Sequence, residues 1–177
     1  PLNAFSVDVE DYYQVSAFEK GVCRSEWSSM ESRVVASTRL ILEILARHQV
    51  RATFFVLGWV GQHCPELVEA IHRDGHEIGT HSYWHHLVYD QSPDEFRMDL
   101  RESCDVISQI TGVPVLAYRA PSFSITKKSL WALSILAEEG LKIDSSIYPI
   151  HHDRYGITGA RHDIHAIETP GRTVWDF

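Results

Sequence analysis

Two hydrophobic periods alternate along this chain. Nearly continuous apolar runs rich in β-branched and aromatic residues occur at Ala4 to Val9 (AFSVDV) and Ala52 to Leu57 (ATFFVL), and they read as strands of a parallel sheet buried on both faces. Between them, Val34 to His48 sets Val34, Ile41, Ile44, Leu45 and His48 at helical spacing, and Pro65 to Arg73 predicts a second helix stopped by Asp74-Gly75. A short strand follows at Glu77 to Thr80. Ser92-Pro93-Asp94-Glu95 joins a capping serine, a proline suited to the first helical position and a glutamate that completes a capping box. That helix runs to about Thr111, ahead of Gly112. Val115 to Tyr118 is strand-like, Lys127 to Glu139 predicts a helix closed by Gly140, and Leu141 to Asp144 begins another strand. No repeat, low-complexity stretch or linker interrupts the pattern, so residues 1–177 read as one domain.

Strand alternating with helix predicts an α/β fold with a parallel sheet, either open and doubly wound or a (β/α) barrel. Both architectures place their chemistry at the carboxyl ends of the strands. Asp8, Glu10 and Asp11 follow the first strand, His81 and His85 the strand at Glu77, Arg119 the strand at Val115, and Asp144 the strand at Leu141. The polar groups of chemical interest therefore share one rim.

Composition narrows the function classes. With 44% hydrophobic residues in 177, the chain has enough apolar side chains for an ordinary core, which excludes disorder as its main state. A formal charge of −8 without a basic tail excludes a nucleic-acid surface and disfavours an acidic membrane. No apolar run approaches the roughly 20 residues that cross a bilayer, and Pro1-Leu2-Asn3 enters the first strand without a basic, then apolar, leader. The expectation is a cytoplasmic chain that is not inserted in a membrane. Cys23, Cys64 and Cys104, odd in number and widely spaced, fit neither a disulfide framework nor a CxxC metal site and suit a reducing compartment. The 11 histidines stand out.

His81-Ser82-Tyr83-Trp84-His85 sets two imidazoles four residues apart, which share a face in a helix or in a turn that begins one. Alone, such a pair is more often two half-buried histidines. The acidic cluster Asp8-Val9-Glu10-Asp11 changes that weighting, because strand alternation puts Asp8 and Glu10 on one face and crowded carboxylates call for a cation. By itself the cluster also suits a solvated acidic turn. Two imidazoles and one carboxylate around Zn²⁺ leave a position open for water, as in catalytic rather than structural zinc sites. Arg119-Ala120-Pro121 fixes an extended rim loop from which a guanidinium can fork onto Asp8, although an arginine at a strand end is commonly a structural ion pair. Asp144-Ser145-Ser146 reads equally well as an ordinary loop start. Tyr12, Tyr13, Trp84, Phe123 and Tyr148 adjoin these motifs, either as faces on which a ligand could stack or as core.

The ordered set SVDVED, GHEIGTHSYWHH, YRAPSF and IDSSIYP resembles the NodB-homology domain of polysaccharide deacetylases, carbohydrate esterase family 4. Within it, DVEDYYQVSAF with RAPSFSIT and DSSIYPI resembles the branch associated with bacterial exopolysaccharide and exosortase loci. The resemblance runs from Phe5 to about Tyr155. It implies a distorted (β/α) barrel, with the C-terminal strands of the domain missing from this chain. It further implies Asp8 as general base, His81 and His85 as metal ligands and Arg119 as the residue orienting Asp8. Asp144 would orient a histidine acid, and the backbone N–H of Ser122 would help hold an oxyanion. Most members carry two adjacent aspartates, whereas Val9 follows Asp8 here, so the carboxylate ligand is Glu10 or Asp11, with Glu10 favoured by alternation. The family's histidine acid, from a late strand, has no match: His151, His152, His162 and His165 fall in a glycine-containing segment that reads as a loop. The implied activity is divalent-metal-dependent, Zn²⁺-suited removal of N-acetyl groups from the amino sugars of a polysaccharide, with these 177 residues binding metal but turning over poorly. The alternatives are an amidohydrolase acting on a small non-sugar amide and a non-catalytic carbohydrate-binding relative.

Overall fold

A computed structural model describes residues 3–177; Pro1 and Leu2, which open the segment read above as carrying no leader, lie outside the described residues. The apolar runs form strands β1 (Ser6–Val9), β2 (Thr53–Val56), β3 (Glu77–Thr80), β4 (Ala117–Tyr118) and β5 (Ile143–Asp144), and a hairpin adds β6 (His165–Thr169) and β7 (Arg172–Asp176). The helices are α1 (Val34–His48), α2 (Gly58–His63), α3 (Pro65–Arg73), α4 (Pro93–Thr111) and α5 (Trp131–Glu138). All strands make one sheet in the order β1-β2-β3-β4-β5-β7-β6, parallel except for the β6–β7 pair.

The sheet curls in the manner of a (β/α) barrel. Arg119, just past β4, reaches Asp8 of β1 at 3.0 Å although β2 and β3 lie between them in the sheet. Inside the curl, a cavity of about 80 Å³ is lined by Phe5, Phe55, Ala117, Ile143 and Phe177 among others. Gly79 makes this interior possible, since a Cβ there would come within 2.6 Å of the Phe55 ring, which in turn lies under the Arg119 guanidinium at 4.3 Å. On the outside, Leu42, Leu45, Val60, Leu67 and Ile71 of α1 to α3 join Phe54 and Val56 in one core, while Phe96, Leu100, Leu133 and Leu136 of α4 and α5 join Tyr118 and Ile125 in a second. Each such buried side chain contributes about 1.5–3 kcal/mol relative to exposure, so the two cores dominate what holds the rim in place.

The ends of α4 follow the sequence. The Ser92 hydroxyl accepts the Glu95 N–H, the Glu95 carboxylate accepts the Ser92 N–H at 2.8 Å, and Gly112 closes the helix with φ 73°. Three readings need correction. The helix expected from Lys127 begins only at Trp131, because the Ser129 hydroxyl accepts the Thr126 N–H and donates to the Ser124 carbonyl, closing a separate turn. Helix α2 has no counterpart above: Gly58, Trp59, Val60 and Gly61 are all buried, so no amphipathic period marks it, and two glycines weaken its propensity. The segment containing His165 is a strand rather than a loop. Its signal was the alternation of half-buried His165, Ile167 and Thr169 with exposed Ala166 and Glu168, followed by a Pro170-Gly171 turn whose glycine has φ 81°. Among the described residues no helix is long and apolar enough to cross a membrane.

Candidate metal centre

Glu10 lies one residue beyond β1 and the two histidines follow β3, so the parallel register of β1, β2 and β3 delivers both segments to one rim. Glu10 Oε2 stands 2.9 Å from His85 Nε2 and 3.7 Å from His81 Nε2. The three ligand-type atoms lie within 4.8 Å of one another. Both imidazoles are 2% exposed and the carboxylate 17%.

The expected helical geometry of His81 to His85 is not what unites them. The segment is an irregular loop in which Ser82 and His85 adopt φ of 66° and 56°. Such left-handed backbone costs on the order of 1–3 kcal/mol per non-glycine residue and persists only where the surroundings impose it. Here α4 imposes it. The Asp99 carboxylate accepts the Tyr83 N–H at 2.8 Å and the Trp84 N–H at 3.1 Å, and Ser103 Oγ donates to the Ser82 carbonyl at 3.1 Å. From α2, the Gly58 N–H donates to the same Ser82 carbonyl. Asp99 and Ser103 were missed in the sequence; two buried polar residues four apart on the inner face of an amphipathic helix were the available signal.

Charge and tautomer favour a cation. Burial pushes the His81 pKa down, and its Nδ1–H is held by the Arg119 carbonyl at 2.8 Å, so Nε2 presents a lone pair to Glu10. For Glu10, burial pushes the pKa up, but the hydrogen bond from His85 and the two imidazoles together outweigh it, and the net shift is downward. Apart from its 2.9 Å contact with His85 Nε2, the buried Glu10 Oε2 has no hydrogen-bond partner among the described residues. A proton on one ring satisfies one of these contacts; a divalent ion satisfies all three ligand atoms at once, so the residues present fit such an ion.

Asp8 sits beside this cluster. Its Oδ1 accepts from Arg119 Nη1 at 3.0 Å, and the same guanidinium donates to the Ser145 carbonyl and hydroxyl at 3.1 and 2.8 Å. Asp11, the alternative ligand, points elsewhere: its carboxylate accepts from the Ser32 hydroxyl at 2.6 Å and the Arg33 N–H at 2.9 Å, capping α1 from a distance. Arg119 is followed by extended Ala120 and then a single 3-10 turn, Pro121–Phe123, in which Ser122 has φ 51° and its hydroxyl meets that of Ser16 at 2.9 Å.

Asp144 is brought to the rim but not to a histidine. It is fully buried and engages Ser146, and its pKa is pushed up to about 7, chiefly by burial and further by Asp176. The sheet register sets Asp144 beside Asp176 and Asp176 beside His165, whose Nδ1 is 3.7 Å from Asp176 Oδ2. Of the aromatics, Tyr13 is core, packed on Trp27, while Tyr12 and Tyr148 are exposed and Trp84 and Phe123 half-buried.

A family model described as polysaccharide deacetylase matches residues 18–141, which include His81, His85, Arg119 and Ser122 but not Asp8, Glu10 or Asp144. The chain is 33% identical over 96 residues to a peptidoglycan-N-acetylglucosamine deacetylase of Bacillus cereus, covering 54% of this chain and 35% of the relative. It is 34% identical over 97 residues to an uncharacterised 30.6 kDa protein of Geobacillus stearothermophilus, covering 55% and 37%. It thus spans little more than a third of the length of these relatives. Among solved structures, a putative polysaccharide deacetylase from Mycobacterium smegmatis superposes with a TM-score of 0.74 over 98% of this chain and 56% of that one, at 24% identity. A CE4 family pseudoenzyme from Bacillus anthracis matches with a TM-score of 0.54 at 30% identity, over 59% of this chain and 36% of that one. With the family match spanning most of its length and the fold shared almost throughout, this chain belongs to the polysaccharide deacetylase family.

Proposed function

We propose that this protein is a divalent-metal-dependent hydrolase that removes N-acetyl groups from the amino sugars of a polysaccharide. The observation that carries this is the convergence of Glu10, His81 and His85 beside an Asp8 clamped by Arg119. Glu10, His81 and His85 would hold the ion, and Zn²⁺ is the ion this N₂O donor set suits. Bound there, it supplies positive charge for an acyl carbonyl and for the attacking water.

The chain supplies the rest. Arg119 occupies Asp8 Oδ1, so the partly exposed carboxylate presents its other oxygen to take a proton from water, as a general base does. The Ser122 backbone N–H is the candidate to stabilise charge on the acyl oxygen. Asp144 and its neighbours on β7 and β6 are the candidate source of the proton that the leaving amine needs.

The segment DVEDYYQVSAF supports an exopolysaccharide as the polymer, whereas several relatives are named for peptidoglycan. A non-catalytic carbohydrate-binding role is the second reading, favoured by Asp144 facing Ser146 in place of an imidazole. Acetate release from N-acetylglucosamine oligomers by the zinc-supplemented protein separates the two. Release abolished by chelation and lowered about 10²–10⁴-fold by Asp8→Asn supports the hydrolase; tight oligosaccharide binding with no acetate released would sink it.

A further inference from the structure

Leading away from the ligand residues, the rim carries an aromatic row. The Arg119 guanidinium carbon lies 5.7 Å from the Phe123 ring centroid. Phe123 is 5.4 Å from Tyr148 and 6.1 Å from Tyr155, and His152 stacks on Tyr155 at 3.9 Å. The row ends in a surface groove of about 390 Å³ whose lining includes Tyr155, Tyr89, Lys127, Lys128 and Arg154. A polar link runs beside it: Arg154 donates to the Ser16 hydroxyl at 3.1 Å, and that hydroxyl meets Ser122 at 2.9 Å.

The groove's charge runs against that of the chain. On a protein of net charge −8, the lining holds three cations and one carboxylate, Asp153. Among the described residues none of the three cations lies within 4.0 Å of a carboxylate, so no ion pair neutralises the positive charge they bring together in one groove. Cations left unpaired beside one another repel, and they suit an anion that arrives from outside. Tyrosine faces in the same lining suit a sugar ring, whose C–H face packs on aromatic carbon. An arginine fork matches the two oxygens of a carboxylate.

We propose that this groove is a subsite for an acidic sugar, holding the carboxylate of a uronic-acid residue on the chain whose N-acetylated sugar lies at the metal rim. This rests on the deacetylase reading above and sharpens it: the substrate is an acidic rather than a neutral amino-sugar polymer.

The test compares a hexasaccharide of alternating N-acetylglucosamine and glucuronic acid with the same oligosaccharide after reduction of its carboxyl groups. Binding is measured by titration calorimetry and turnover by acetate release, on the zinc-supplemented chain and on its K127S/K128S/R154Q variant. The acidic oligosaccharide is expected to bind about tenfold more tightly than the reduced one, the scale of a few exposed ion pairs. In the variant the two should bind alike, with affinity for the reduced oligosaccharide unchanged. In the unsubstituted protein the preference should shrink as salt is raised, a readout that does not depend on the variant folding. Equal binding of the two oligosaccharides, or a preference that survives the triple substitution, overturns the subsite while leaving the deacetylase reading intact if acetate is released. A groove-dependent preference without acetate release supports the subsite and overturns the activity. Binding of neither, with no acetate released, overturns both.

Discussion

The rim at β1 and β3 and the rim at β5 and β7 answer the same electrostatic problem in opposite ways. At the first, the carboxylates face fixed partners, Arg119 on Asp8 and two imidazoles on Glu10, and the net pull on the Glu10 pKa is downward. At the second, Asp144 and Asp176 stand side by side across the sheet, burial pushes both pKa values up, and the nearest histidine is too far for a hydrogen bond. One end presents a donor set that suits a cation, and the other holds carboxyl groups whose burial favours the protonated form. A shared strand-end position therefore fixes where a carboxylate lies, and its neighbours fix what it does.

The largest effect is expected from removing a ligand at the first rim. His81→Ala should abolish stoichiometric zinc in elemental analysis and lower acetate release about 10³-fold or more, with the far rim unaffected. At the second rim the prediction concerns pH. The folded protein holds the Asp144 proton up to about pH 7, while the unfolded chain releases it near the ordinary 3.8, so stability declines as pH rises through that interval and levels off above it. Asp144→Asn should lack this decline and be the more stable form at pH 8, by at most on the order of 4 kcal/mol. Urea midpoints at pH 5 and pH 8 that move in parallel in the two proteins would break the contrast.

Smaller effects sharpen it. Asp99→Ala leaves two loop N–H groups unpaired and should cost about 1–3 kcal/mol of stability. It should also weaken zinc binding by about 10–100-fold, as loss of a ligand's supporting contact does. His165→Gln should change stability by less than about 0.5 kcal/mol, because its contact with Asp176 is long. A large drop in kcat for that variant with zinc retained would single out His165, rather than the buried carboxylates beside it, as the proton donor of the second rim.

The sequence made the parallel strands, α4 with both caps, and the common rim legible, because each rests on local pattern. Glu10 was separable from Asp11 only by strand alternation, and the structure adds the reason: Asp11 is committed to the start of α1. The loop from Ser82 to His85 was not legible, since its left-handed residues are held by Asp99 and Ser103 from a distant helix rather than by anything local. The same holds for β7, which owes its place to pairing with β5 across about thirty residues.

Zinc K-edge X-ray absorption on the stoichiometrically loaded protein tests the central claim most directly. The account predicts nitrogen and oxygen neighbours at about 2.0–2.2 Å with the outer-shell scattering of two imidazoles. A sulfur shell near about 2.3 Å, or a protein that takes up no stoichiometric zinc, would contradict it.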